Sequence, residues 1–324
     1  MFGRTLLLLS FLASPALADV QAAIEGHIER GYTNLLSATT ELSAAASTDC
    51  SPDTVRPHFH KAYDAWISIS HIQFGPIEDQ ALTLNMSFWP DPKDSTGKAL
   101  ARLTAASNPI VDQPESFGDV SAAAQGFTAL ERLLDDAQSN PAYAGRLTRA
   151  IATHLARKSV SIEEDWPAFA ALMTSGGADG NTRFQSGDEA RRALYTALFT
   201  GLEFLHDQRL GRPLGTFDRP RPRRAEAHRS ERSLRHVQLQ LAALEALATT
   251  MTDSDLTATK AAFANARTRP AELDDPALQG VADPGGRFRV ELIQQAVRAI
   301  QVAVTDEIGT PLGITAGFNS LDGD

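Results

Sequence analysis

The chain has 324 residues, 43% of them apolar and 22% charged, proportions of a globular protein that exclude wholesale disorder. Its formal charge of −10 disfavours nucleic-acid binding, which needs a basic face to displace counterions. A single cysteine, Cys50, excludes an intramolecular disulfide and any zinc or iron–sulfur site built on two or more thiolates of this chain.

The N-terminus opens with Met1-Phe2-Gly3-Arg4, a short positive start, followed by an apolar run over residues 5–13. Ser14-Pro15-Ala16-Leu17-Ala18 then breaks the run and places small side chains at cleavage positions. This pattern reads as a secretory signal peptide over residues 1–18, cut after Ala18. No later stretch reaches the roughly 18 apolar residues that cross a bilayer, so no membrane span is expected. In an oxidising compartment the lone Cys50 is expected to be buried and inert.

Helical spacing dominates the rest of the chain. Val20, Ile24, Ile28, Leu35, Leu36 and Leu42 form one stripe, and Phe59, Tyr63, Trp66, Ile69 and Ile72 form another after Pro57, read as a first-turn proline. Further stripes run over residues 126–134, 147–162, 194–205, 234–251 and 290–304. Alternating β-branched runs between hairpin turns are nearly missing. The expected fold is all-α, with helices that each bury one apolar face and so gather into bundles. Ser175-Gly176-Gly177-Ala178-Asp179-Gly180 reads as a flexible connection. The expected division is an N-terminal bundle over 19–175, a linker over 176–185 and a C-terminal bundle over 186–324. Residues 128–133, TALERL, resemble residues 200–205, TGLEFL, a short echo that alone does not establish a repeat.

Few residues point to chemistry. There is no HExxH, no P-loop and no Gly-rich dinucleotide turn. Glu203 and His206 share a helix face as Glu-x-x-His, but di-iron bundles need that motif twice with two further glutamates, so a surface or hydrogen-bonded pair is the plainer reading. His58-x-His60 points its rings apart on a helix and reads as exposed. The run Arg219-Pro220-Arg221-Pro222-Arg223-Arg224 is a basic island in an acidic chain. It holds an anionic ligand, meets carboxylates of the other bundle, or is a solvated loop. Glu131 lies among Leu130, Leu133 and Leu134, sharing a face with Thr128. If buried, its carboxylate needs a cation, a metal or donors; otherwise it points at water.

Gly126-Phe127-Thr128-Ala129-Leu130-Glu131 resembles the Gly-x-His-x-x-Glu motif of the imelysin-like proteins. In the same order, residues 65–76 resemble that family's first-bundle signature, and Phe88-Trp89-Pro90 resembles its following loop. Residues 210–215 and 226–230 with Ser233 resemble its second-domain signature, and residues 317–324 resemble its ending. The resemblance spans nearly the whole mature chain. It implies two helical bundles related as a duplication, a pocket between them, a periplasmic setting and a link to iron or other divalent metals. Here Thr128 replaces the motif histidine. A hydroxyl is a poor ligand for a transition metal and no general base at neutral pH, which weakens both a metallopeptidase and a direct metal site.

Three functions are compatible with these features. The first is a periplasmic binding protein for a small ligand or metal in iron acquisition or envelope metal homeostasis. Its candidate binding residues are Gly126, Thr128, Glu131, Trp89, Arg223, Glu226, Ser230 and Asp322, with Glu131 the candidate metal ligand. The second is a metallopeptidase, after the label the family carries, with at least three protein ligands. The third is an interaction module for an envelope protein partner, steered by the acidic surface.

Overall fold

The computed structural model describes the backbone of residues 15–314 and side chains from Asp19 onward. Asp322, the C-terminal motif and most of the expected signal peptide lie outside the described residues. Among those described, the fold is all-α: no strand forms, and one isolated bridge joins Thr216 to Arg219.

The first rod is α1 (Pro15–Ala23), a π-helical turn over Ile24–Ile28, and α2 (Glu29–Thr48). Tyr32, Leu35, Ala38, Thr39, Leu42 and Ala46 are the buried face of α2, spaced to stay on one side of a 3.6-residue repeat. α3 (Pro52–Ile69) starts at Pro52, which fits the first turn because its missing N–H has no partner there. Pro57 therefore sits inside α3 rather than at its start, and His58 and His60 are interior helix positions. Short α4 (Pro76–Asp79) and α5 (Thr83–Met86) lead to α6 (Ser95–Ala106), and three 3-10 turns connect to α7 (Gly126–Asp135). α8 (Pro141–Thr174) is the longest helix and starts with Asn140, whose side chain caps the Tyr143 N–H at 3.1 Å.

The connection expected near 176–185 joins α8 to α9 (Gly187–Glu203), which opens on a Ser186 cap. A second π-helical stretch, Phe204–Leu210, leads into α10 (Gly211–Leu214). After the irregular segment 215–232 come α11 (Ser233–Thr250), α12 (Thr257–Ala271) and α13 (Pro284–Val304). α2, α3, α7 and α8 pack on one another, and α9, α11, α12 and α13 form a second group. The groups meet where α3 packs on α11 and where α1 reaches α9, so one apolar core runs through both.

Two glycines set close approaches, one within the first helix group and one at the junction. Gly126 opens α7 with φ +75°, and a Cβ there would lie 2.4 Å from the carbonyl oxygens of Asn85 and Met86. Gly201 lets α9 approach α11, since its Cβ would lie 2.6 Å from Leu244 Cδ2 and 3.0 Å from His71 Cβ. Gly126→Ala adds left-handed strain to a clash with backbone that cannot swing aside. It is expected to lower stability by about 2–4 kcal/mol, read as a shift in the urea midpoint with unchanged slope.

Candidate functional site

The site forms where α3, α7 and the loop after α5 face segment 215–232 and the π-helical stretch. Tyr63 of α3 stacks on Phe127 of α7, ring centroids 4.8 Å apart, and meets the edge of His236 of α11 at 4.5 Å. Its hydroxyl begins a buried chain: Tyr63 Oη to Ser87 Oγ is 3.3 Å and Ser87 Oγ to Thr128 Oγ1 is 3.1 Å. Thr128 thus replaces an imidazole with a link in a hydroxyl relay.

Glu131, one turn further along α7, is 2% exposed. Its Oε1 accepts from the Ser230 backbone N–H at 3.0 Å and from Ser230 Oγ at 2.8 Å. Burial pushes this carboxyl above its ordinary value, against the pull of the Ser230 donors and of Arg229. The segment carrying Ser230 is fastened to the first helix group at two more places. Arg229 Nε donates to both Asp136 oxygens at 3.0 and 3.1 Å, and the Arg232 guanidinium bonds Asp64 of α3.

Two partly open cavities adjoin here and share Trp89. The first, of about 210 Å³, is lined by Thr128 and Glu131 on one side and by Arg132, Arg212, Arg223, Arg224 and Arg229. The second, of about 360 Å³, is walled by Trp66, Trp89 and Phe204, with Thr200 and Glu203 of α9 on its lining. Trp89 and Phe204 meet edge to face at 5.8 Å, one residue from each helix group.

Beneath the second cavity lies a buried ionic centre. Glu226 Oε2 accepts from Arg209 Nε at 2.7 Å and lies 3.0 Å from His236 Nδ1. Arg209 also bonds Gln240 Oε1, and Gln240 donates to the Gly201 carbonyl at 2.9 Å. Burial raises the Glu226 carboxyl, but Arg209 and His236 outweigh it and bring it down to about 2. Nearby, His27 Nε2 and His71 Nε2 are 2.8 Å apart. Burial holds His71 well below its ordinary value and His27 at about 4, so both rings are neutral at pH 7 and one donates to the other.

Of the residues singled out in the sequence, Trp89, Thr128, Glu131 and Arg223 line the first cavity, and Ser230 binds Glu131. Glu226 lines the second cavity instead, held by Arg209. Gly126 serves the backbone approach described above. Glu203 lines the second cavity, while His206 Nδ1 lies 2.6 Å from Asp207 Oδ1. Sequence reasoning missed Tyr63, Ser87, Arg209, Arg212, His236 and Gln240 as parts of the site. A signal existed for some. Ser233, His236 and Gln240 recur at three- and four-residue spacing on the face of α11 that the stripe buries, and Arg209 lies one turn beyond Leu205 on a buried stripe.

A bare divalent cation does not suit the motif. The Glu131 oxygen is taken by two donors, and five arginines line the same cavity. Among the described residues, no three His, Cys, Asp or Glu are grouped so as to hold a metal ion. A metallopeptidase needs at least three such ligands.

An all-α chain with a crevice between two helix groups, closed over by a segment that binds a buried glutamate, defines the class of protein. The Imelysin family model matches residues 28–304, and the chain belongs to that family. It shares its fold with an imelysin-like protein from Psychrobacter arcticum 273-4 at 18% identity and TM-score 0.76, covering 97% of this chain and 100% of that one. It is also similar to a "putative iron-regulated protein A precursor" from Parabacteroides distasonis ATCC 8503 at 12% identity and TM-score 0.70, covering 89% and 93%. A search of curated proteins finds no match.

Two outcomes test the site. Arg209→Met leaves Glu226 buried without its cation and is expected to cost about 3–5 kcal/mol at pH 7. The wild-type pair stabilises above the ordinary carboxylate range and loses this as pH falls toward about 2. In the variant burial favours the protonated acid, so the gap between the two proteins should narrow in urea melts at pH 4. Glu131→Ala leaves the Ser230 donors unmet and is expected to cost about 1–3 kcal/mol, whereas Glu131→Gln keeps an acceptor and should stay within about 1 kcal/mol by the same melts.

Proposed function

We propose that this chain is an exported, periplasmic ligand-binding protein of the imelysin family, serving iron or other metal acquisition or envelope metal homeostasis. In this reading residues 19–175 and 186–324 are its two bundles, residues 1–18 its signal peptide, and the crevice between the bundles its binding site. The metal is cargo, carried by the ligand or handed to an envelope partner. The observation that carries the reading is the crevice itself, walled by Trp66 and Trp89 from one helix group and by Phe204 and Gln208 from the other. Binding sites favour such junctions, with mostly apolar walls and a few placed polar groups. The similarity to a protein named as iron-regulated supports the metal setting. No helix among the described residues is long and apolar enough to cross a membrane.

The test is metal accumulation by cells lacking this gene, grown under chelation. The wild-type chain should restore uptake. Trp89→Ala, which strips the wall common to both cavities, should restore less than a third of it while accumulating as folded protein. Full rescue by Trp89→Ala, or unchanged metal content in the deleted strain, would overturn the reading.

A further inference from the structure

The first cavity is a basic compartment in an acidic molecule, and its cations are not all matched by acids. Arg132 pairs with Asp94, and Arg229 pairs with Asp136. Asp91, which lines the cavity as Asp94 does, accepts from the backbone N–H groups of Ser95 and Thr96 at 2.7 and 2.8 Å. Glu131 is held by Ser230. Once these internal partners are matched, the solvent-exposed Arg223 and Arg224 and the partly buried Arg212 remain on the lining of this open cavity, and the first two form no ion pair among the described residues. Arg212 uses one nitrogen on Gln208 Oε1 at 2.6 Å. Its guanidinium is shifted down by burial and by the like charge of Arg224. The prolines of the run, together with a 3-10 turn over Pro222–Arg224, restrict the backbone that presents these side chains.

We infer that this compartment is an oxyanion site that takes its ligand by clustered carboxylates, so that metal enters the crevice as an anionic polycarboxylate chelate and not as a bare cation. Guanidinium groups match carboxylate oxygens with paired N–H donors, and a wall of them repels a free divalent ion. The volume of about 210 Å³ has room for roughly seven water-sized groups, more than one tetrahedral anion fills. Thr128, at the end of its hydroxyl relay, adds a neutral partner that an anion tolerates. Trp89 stands between this compartment and the apolar one, so an organic body attached to the anionic group meets an aromatic wall.

The inference rests on the ligand-binding reading above and is tested apart from it. Tryptophan fluorescence and calorimetry on the purified chain would use four probes: citrate, ferric citrate, inorganic phosphate and ferrous chloride. Citrate and ferric citrate are expected to bind, more weakly as salt rises, and phosphate at least tenfold more weakly than citrate. The paired variant Arg223→Gln, Arg224→Gln changes two side chains that no ion pair ties to the fold and should weaken citrate at least tenfold with an unchanged melting temperature. Arg219→Gln, on the same basic run but off the cavity lining, should bind as the wild type does. Binding of ferrous chloride without citrate would overturn the inference, as would phosphate binding as tightly as citrate, equal citrate affinity in the paired variant, or no binding by any probe. Each of those leaves the ligand-binding reading to be judged by the Trp89→Ala uptake result.

Discussion

The segment that crosses from the second helix group onto α7 is anchored by one buried carboxylate. Glu131 is committed to the interior by the leucines around it on α7, and a buried acid must find donors. Ser230 supplies two from 99 positions further along the chain. That pair brings segment 215–232 over α7, and the Arg229–Asp136 and Arg232–Asp64 ion pairs keep it there. Partly exposed ion pairs of this kind contribute little singly, so the desolvated glutamate sets the arrangement and the arginines steady it. The segment so placed supplies one wall of the arginine cavity.

The same closure divides the crevice by polarity. Arg209 is turned inward by the π-helical stretch and is consumed by Glu226 and Gln240, so it neutralises the floor of the apolar cavity. Arg223 and Arg224 of segment 215–232 have no equivalent acid and remain facing the other cavity. π-Turns of this kind gather at functional sites because the extra residue re-aims side chains that a regular helix would point elsewhere. Here one such turn carries Arg209, and another, Ile24–Ile28, carries His27 to its partner His71 on the cavity wall.

Much of the fold was legible because each long helix buries a regular stripe. α2, α7, α8, α9, α11 and α13 all follow the spacing of their apolar residues. α12 left little trace: its buried face is Thr259, Phe263, Ala266 and Pro270, two of which are not helix-core residues by type. α6 buries only Thr96, Ala99 and Leu100, small residues without a strong period. Pro57 misled because a proline just ahead of an apolar stripe reads as a helix start, whereas Pro52 occupies that position and the helix runs through Pro57. Within the site, Glu131 was legible as an acid among leucines, and Ser230 and Glu226 were picked out by the family resemblance, but the pairings they make were not legible. Nothing local marks Ser230 as a donor to it, and Glu226 reads as one more glutamate until Arg209, 17 positions earlier, is folded against it.

The short echo between residues 128–133 and 200–205 gains meaning from where the two copies lie. Thr128 and Glu131 line the arginine cavity, and Thr200 and Glu203 line the apolar one. Each helix group thus offers the crevice the same pair, one turn apart on its own helix. The surroundings have made them different. Glu131 is sealed and occupied by Ser230, while Glu203 sits on a partly open wall beside Phe204 and Gly201. A hydroxyl at position 128 fits this division. Burial and the five guanidinium groups would hold an imidazole there neutral, and threonine instead bonds Ser87 and leaves the positive character of the cavity to the arginines.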